Sequence, residues 1–290
     1  MRGRVWWAQV LCVCLVVLGG AGEAGAAAGV SCTSGKKGLA AKVRAGIVEA
    51  LEGRRGTVAV VVHDRGSRTW CALRSAYAFD AASVVKVTVL GALLWDAQRD
   101  ERGLTEREKE LAASMITRSG NSATNVLWNQ LGVQKVRGFL KAAKMTQTEP
   151  NPYGYWGLTQ ITARDQQRLT GLLVQENDVL DAASRSYMLE LMGKVVKSQR
   201  WGVSKGAPGS VRVHIKNGWL QRASLGWRVH SSGVFVGGGQ TYSITVFTHG
   251  NASMKYGVAT IERVARAVHA VLGGPGSGPR RLPGSSGLIM

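Results

Sequence analysis

The sequence predicts a mixed α/β (α+β) domain, in which an antiparallel five-stranded sheet is flanked by helices and an all-helical subdomain is inserted between its strands. Three observations carry this prediction. A β-branched run and a second strand-like run, joined by turn residues, lie near the start, helical spacing fills the middle, and three more strand-like runs follow residue 210. With 290 residues and 45% hydrophobic content, the chain can bury a full core.

The first folded elements are predicted to be a helix and a hairpin. Apolar residues recur at helical spacing over residues 39–51, which indicates an amphipathic helix. Residues 57–63 form a continuous β-branched run, Asp64–Ser67 has turn chemistry, and residues 69–73 return as a second strand. Together these runs predict two antiparallel neighbours in the sheet.

The middle of the chain is mainly helical, and we predict a helical lobe over residues 76–209. Its predicted helices cover residues 83–97, 105–116, 121–131, 133–143, 162–176 and 182–196. Pro150, Pro152 and Gly154 mark an irregular loop between the fourth and fifth of these.

Strand patterns return at residue 211 and complete a sheet lobe made of residues 36–75 and 210–272. The predicted strands are 211–219, 227–236 and 241–248, followed by a helix over 261–272. Residues 32–272 are therefore predicted to be the folded domain. Gly, Pro and Ser dominate residues 273–290, which are predicted to be a disordered tail.

The N-terminus has the layout of a secretory signal peptide. Arg2 and Arg4 precede an apolar run over residues 5–18, and Ala24–Ala26 offers an A-x-A cleavage site. We therefore assign residues 1–28 to a signal and expect a secreted protein. No later segment reaches membrane-spanning length without charges, so no membrane span is expected in the mature chain.

The cysteines are consistent with export. Cys12 and Cys14 leave with the signal, so Cys32 and Cys71 remain as a pair in an oxidising compartment. We predict a disulfide between them, which would stabilise the fold by about 2 to 4 kcal/mol. The alternative, lipid anchoring at Cys32, is less favoured because it would leave Cys71 unpaired.

Composition argues against several classes of partner. The formal net charge is +19, yet the basic residues are spread along the chain with no long cluster, which favours a solvated cationic surface over nucleic-acid binding. The five histidines lie far apart without metal-ligand spacing, so neither a metal nor another cofactor is expected. We expect a monomer that acts on a small-molecule substrate.

The candidate chemistry begins at Ser83 and Lys86. Their i, i+3 spacing places both on one face of a strongly apolar helix, whose N-terminus favours negative charge on a serine oxygen. A serine is a weak nucleophile until a base accepts its proton, and burial against apolar residues shifts a lysine towards its neutral form. S-x-x-K alone is common by chance and is more often a capping serine with a solvated lysine.

Two further motifs make the pattern more specific. Ser119-Gly120-Asn121 follows a predicted helix, and Lys216-Asn217-Gly218 lies on a predicted strand. In order and setting these three motifs resemble the S-x-x-K, S-D-N and K-T-G signatures of the class A β-lactamase and penicillin-binding family. The resemblance spans most of the mature chain and implies a β-lactamase/transpeptidase-like fold.

The resemblance implies roles for the proton-transfer residues. Ser83 would attack an acyl carbonyl, Lys86 would accept its proton, and Ser119 would relay a proton to the leaving nitrogen. In the same family a loop glutamate activates the water that releases the acyl group. Glu149 is the candidate for that role in this sequence.

The resemblance also implies substrate-binding roles. Asn121 would bind a substrate side-chain amide, and Lys216 would supply positive charge for a substrate carboxylate. Trp219 and Ser83 would offer backbone N–H groups to the oxyanion, with Gly218 allowing close approach. The sequence departs from the family signatures at two positions. Gly120 replaces an acidic residue, and Asn217 replaces a threonine. The amide of Asn217 could still donate a hydrogen bond to the substrate carboxylate.

The function that follows is acyl transfer on β-lactams or related amides through an acyl-enzyme, with β-lactam hydrolysis as the leading expectation. A D-alanyl-D-alanine peptidase, a penicillin-binding enzyme or an esterase with slow deacylation is the first alternative. A non-catalytic module that binds cell-wall peptide is the second, because Gly120 and the placement of Glu149 both weaken the case for turnover.

Overall fold

A computed structural model describes residues 29–273. The predicted signal peptide at residues 1–28, and residues 274–290 of the predicted tail, lie outside this range. The elements, in chain order, are β1 (Ser31–Thr33), α1 (Leu39–Leu51), β2 (Thr57–Asp64), β3 (Thr69–Leu73), β4 (Ala78–Asp80), α2 (Val85–Arg99), α3 (Glu106–Thr117), α4 (Asn121–Ala142), β5 (Gln160–Thr162), α5 (Ala163–Val174), α6 (Ala182–Gly193), β6 (Arg212–Gln221), β7 (Trp227–Gly237), β8 (Gln240–Asn251) and α7 (Met254–Leu272).

The main sheet is antiparallel and is built from both ends of the described chain. Its strand order is β1-β3-β2-β8-β7-β6, so the N-terminal hairpin lies beside the C-terminal strands. All five predicted strands are present, but the described sheet has six. The extra strand β1 has only three residues and no alternating pattern, so the sequence offers no signal for it.

The predicted disulfide between Cys32 and Cys71 is present. The two cysteines are directly opposite each other in the β1–β3 pair. The bond therefore fastens this short edge strand to the sheet.

The described residues form two large apolar cores and a smaller third one, which includes Ala59, Val61 and Phe247 of the sheet. The first packs α1 and α7 against one face of the sheet, with Val43, Ile47, Val246, Ile261 and Val264 among its members. The second lies among helices α2 to α6. The division into a sheet lobe and a helical lobe at residues 75/76 and 209/210 stays a prediction.

Helices α1 to α6 lie within three residues of their predicted bounds. The two helices predicted at 121–131 and 133–143 lie end to end in α4 and are separated at Gly132, where φ is 66°. Helix α7 begins at Met254, seven residues before its predicted start, because the Ser253 side chain accepts a hydrogen bond from the N–H of Tyr256.

A second sheet of two short strands pairs the segment before α2 with the segment between α4 and α5. Strand β4 precedes Ser83, and its partner β5 follows a 3-10 turn at Trp156–Leu158. The pairing brings that turn against the 3-10 turn at Ala82–Val84. No helix within residues 29–273 is long and apolar enough to cross a membrane.

Candidate active site

Ser83 lies in the 3-10 turn at Ala82–Val84, two residues before α2 begins. The sequence predicted it inside the helix, but the chain enters the helix through a tighter turn. The preceding residue, Ala82, has φ 47°, a left-handed conformation that is costly for a residue with a Cβ. Such strain persists where the surrounding structure holds it, and here it presents Ser83 at the start of the helix.

Strand β6 lies directly against the backbone of Ser83. A Cβ at Gly218 would be 2.7 Å from the Ser83 nitrogen and 2.8 Å from the Val84 nitrogen, so only glycine fits. The motif Lys216-Asn217-Gly218 and the motif that contains Ser83 therefore meet, as the sequence predicted. Trp219, the next residue, lines the same cleft as Ser83.

Ser119 connects the two motif lysines. Its φ is 58°, again left-handed without being glycine, and this conformation turns both its carbonyl and its side chain towards Lys86. The Lys86 amine donates to the Ser119 carbonyl oxygen at 2.7 Å and lies 3.2 Å from its Oγ. The Lys216 amine donates to the same Oγ at 2.9 Å.

This arrangement leaves the Ser119 hydroxyl proton available for a further hydrogen bond. Because its oxygen accepts hydrogen bonds from both amines, its own O–H is free to donate elsewhere. Asn121 completes the group, since its Oδ1 accepts from the Lys86 amine at 2.8 Å and the residue lines the cleft.

The two lysines are fully buried. Within residues 29–273, neither forms an ion pair with a carboxylate. Burial lowers the pKa of Lys86 to about 8. Burial also lowers the pKa of Lys216 well below its usual range, and the nearby charge of Lys86 lowers it further. A lysine whose pKa is lowered in this way is more often in its neutral form and can then act as a general base. A serine hydroxyl such as that of Ser83 requires a base to accept its proton.

Gly120 stands where the resemblance expects an acidic side chain, and main-chain contacts hold its loop. Its N–H donates to the Ser114 carbonyl oxygen at 3.0 Å. Its own carbonyl oxygen accepts from the Thr124 hydroxyl at 2.7 Å. A Cβ at this position would lie 2.6 Å from the Ser114 Oγ, so a side chain here would require Ser114 to move.

Asn217 is buried, and its amide N–H groups are already used in hydrogen bonds within the protein. Its amide nitrogen donates to the carbonyl oxygens of Gln199 at 2.8 Å and Trp201 at 2.9 Å. A substrate carboxylate would have to displace one of these oxygens to use the amide. Its binding role stays a prediction.

Glu149 lies on the outside of the loop that precedes β5. Its carboxylate pairs with Arg137, its side chain is 64% exposed, and its main chain pairs with Gln160. Glu149 is not among the residues that line the Ser83 cleft. Its predicted part in activating water stays a prediction that this placement does not favour.

Trp156 lines the cleft but is not among the candidate site residues predicted from the sequence. Its ring lies 4.8 Å from the Lys86 amine, at cation–π distance. Its indole N–H donates to Asn125 Oδ1 at 2.8 Å, which holds the ring in place. No spacing rule identifies this contact, because it depends on how a loop folds over the helix.

The cleft beside Ser83 is largely apolar. Its polar lining side chains are Ser83, Asn121 and the phenol of Tyr155. The remaining lining residues are Ala82, Trp156, Gly157, Leu158, Trp219 and Leu220. No group of three potential metal-ligating side chains occurs in the described part of the chain.

Comparisons with known proteins address the family and the fold. The sequence model of the beta-lactamase enzyme family matches residues 39–109 and 107–272. A search of curated proteins finds no significant match.

Among solved structures, the chain is similar to a beta-lactamase from Sphaerobacter thermophilus, with 21% identity, a TM-score of 0.69 and coverage of 80% of this chain and 97% of the other. It is also similar to a class A beta-lactamase from Bacteroides cellulosilyticus, with 16% identity, a TM-score of 0.70 and coverage of 82% and 99%. A third similar structure is a PBP-A mutant as its acyl-enzyme complex with penicillin G, with 18% identity, a TM-score of 0.68 and coverage of 80% and 96%. These identities are low, and the likeness shows a shared fold.

Proposed function

Because the chain belongs to the beta-lactamase enzyme family, we propose that it is a serine hydrolase that forms an acyl-enzyme at Ser83 with β-lactams or related amides. The Ser83 Oγ bonds to the substrate carbonyl carbon as its proton passes to Lys86, and the amide C–N bond then breaks. Ser119 gives a proton to the leaving nitrogen and regains one from the lysine pair. Backbone N–H groups of Ser83 and Trp219 stabilise the oxyanion.

One observation carries this proposal: two buried lysine amines from distant parts of the chain meet at the Ser119 hydroxyl. Placing two such amines together without a carboxylate is costly for stability. Proteins accept that cost where a proton must be moved, which makes the group a proton relay. Its position beside the strand that packs on Ser83 connects the relay to the nucleophile.

A specific observation favours slow release of the acyl group. The side of the cleft opposite β6 is lined by Trp156 and Leu158, whereas the Glu149 carboxylate is exposed and paired with Arg137. Water activation from that side then lacks a carboxylate base. We therefore favour a penicillin-binding type of enzyme, and rapid β-lactam hydrolysis is the competing outcome.

A fluorescent penicillin tests the proposal directly. We expect the purified protein to be labelled covalently, and Ser83→Ala to abolish labelling because the attacking oxygen is lost. Ser122→Ala, an exposed serine in the first turn of α4, is the matched control and should be labelled as the wild type is. Mass spectrometry should place the adduct on Ser83.

The fate of the label separates the candidate functions. A label that persists for many minutes supports the slowly deacylating enzyme, whereas rapid loss with product release supports a β-lactamase. Absence of any adduct on the folded wild type would contradict acyl transfer and favour a binding module.

We further propose that the protein is exported and acts as a monomer outside the cytoplasm. The Cys32–Cys71 disulfide is consistent with an oxidising compartment. N-terminal sequencing of the secreted protein would support this if the mature chain begins near residue 29.

A further inference from the structure

The cleft beside Ser83 is bounded by two apolar stretches. One is Tyr155–Leu158, from the loop before β5, and the other is Trp219 and Leu220 at the end of β6. Both stretches pack near the 3-10 turn that carries Ser83. A group attached to the substrate's acyl carbon would therefore meet apolar surface as soon as the carbonyl reaches Ser83.

The strand places Leu220 on the same side as the nucleophile. Side chains alternate along a strand, and Gly218 faces the Ser83 backbone, so Leu220 faces that side too. Trp219 faces the other side, where its ring packs 5.8 Å from that of Trp201. Leu220 therefore offers a side chain, and Trp219 offers chiefly the strand edge, to a bound substrate.

The opposite wall is fixed before any substrate binds. The Trp156 ring is held by its hydrogen bond to Asn125 and by the Lys86 amine. Tyr155 is 65% exposed at the mouth of the cleft, so its ring has surface to bury. Binding to a preformed wall costs little conformational entropy.

We infer that this cleft selects substrates whose acyl group carries an aromatic or bulky apolar side chain, with Tyr155 and Leu220 as its specificity-determining contacts. The inference rests on the proposed acyl transfer at Ser83. The lining residues carry no charged side chain that could pair with a charged substituent. Contact between aromatic rings adds to the free energy of burying the substituent.

Two penicillins that differ only in this side chain provide the test. Benzylpenicillin carries a phenylacetyl group, and 6-acetamidopenicillanic acid carries a neutral acetyl group on the same nucleus. We expect the second-order rate constant of acylation to be about tenfold or more higher for benzylpenicillin, because one buried ring is worth at least that factor. Tyr155→Ala and Leu220→Ala should each reduce this ratio several-fold, because each should slow acylation by benzylpenicillin more than acylation by the acetyl compound.

Tyr153→Ala is the matched control, because Tyr153 lies in the same loop, is 83% exposed and does not line the cleft. It should keep the wild-type ratio. Equal rates for the two penicillins, or variants that slow both equally, would overturn the selectivity while leaving acyl transfer intact. If neither penicillin acylates the wild type, the proposed function itself fails and the inference fails with it.

Discussion

At the scale of single residues, the site depends on a hydroxyl that two lysines share. Ser119 is held in a left-handed conformation, and its Oγ lies within 3.2 Å of both amines. A proton on either lysine disfavours one on the other, so the pair holds fewer protons than two isolated lysines would. The proposed proton relay should therefore respond to pH in a range where ordinary lysines stay fully protonated.

Acylation should consequently increase as the pH rises through about 8. Burial lowers the Lys86 pKa from 10.5 to about 8, and only the neutral amine accepts the Ser83 proton. The measurement is the acylation rate constant with a labelled penicillin from pH 6 to 9.5. A rate that stays flat over this range would show that Lys86 does not act as the base.

Gly218 provides a second prediction at this scale. Gly218→Ala would place a methyl group 2.7 Å from the Ser83 nitrogen. The strand or the turn would have to move to relieve this contact, and the atoms in contact are backbone atoms that move little. We expect acylation to fall at least a hundredfold, because small displacements of a nucleophile are costly. Gly209→Ala is the control, since a Cβ there meets nothing within 4 Å. A normally reactive Gly218→Ala variant would mean that the strand does not support the nucleophile as described.

At the scale of elements, short strands with little intrinsic preference for β structure position the residues of the candidate site. Strands β4 and β5 have three residues each, yet their pairing brings the loop with Trp156 to Ser83. The longer helices provide the support. Helix α3, which leads into the Ser119 loop, begins with a capping box between Thr105 and Glu108.

Glu108 makes the start of α3 sensitive to acid. Burial alone would raise the pKa of its carboxyl, but hydrogen bonds from Arg102, Thr105 and Gln130 hold the pKa at about 2. The native state therefore keeps the charge that an unfolded chain loses below pH 4.5, and this stabilisation decreases as the pH falls from 4.5 towards 2. We expect Glu108→Gln to lower the free energy of unfolding by about 1 to 3 kcal/mol at pH 7.

Urea unfolding of the wild type and Glu108→Gln at several pH values checks this prediction. The difference between the two proteins should be largest above pH 5 and should shrink as the pH falls towards 2. If the difference in free energy of unfolding does not change with pH, the charge of Glu108 does not contribute to stability and the prediction is wrong.

The disulfide also acts at the scale of elements, because it fastens the three-residue strand β1 to the sheet. It closes a loop with a sequence separation of 39 residues, for which chain entropy predicts stabilisation by about 4 kcal/mol. The variant with both Cys32→Ser and Cys71→Ser should unfold at a clearly lower temperature than the oxidised wild type. Reductant should lower the melting temperature of the wild type and leave that of the double variant unchanged.

At the scale of the whole molecule, the sequence predicted the fold where elements are long and periodic. The sheet from both chain ends and the helical insertion follow from such patterns, with α1 and β3 recovered at their observed bounds. Strands β1, β4 and β5 were missed because three residues carry no period. Their existence depends on pairing with distant strands, which local patterns do not record.

The candidate site was predictable to a similar degree. The three motifs predicted that Ser83, Ser119 and Lys216 would meet, because motif spacing on helix and strand carries that information. The surroundings of Lys86 and Asn217 were not predictable, since the Trp156 ring and the carbonyl oxygens of the 199–201 segment come from irregular loops. Loop geometry follows from packing and not from local spacing.

The packing of α1 on α7 has a consequence for chain connectivity. A Cβ at Gly46 would lie 3.3 Å from that of Ala267, while Arg54 donates to the Tyr256 carbonyl oxygen at 2.8 Å, so the helices run antiparallel. The start of α1 therefore lies near the end of α7. A linker that leads from the end of α7 back to the segment before β1, so that β1 and its disulfide are kept, together with an opening at the exposed Gly103, would give a circular permutant. Such a rearranged chain should still bring its three distant motifs to one cleft.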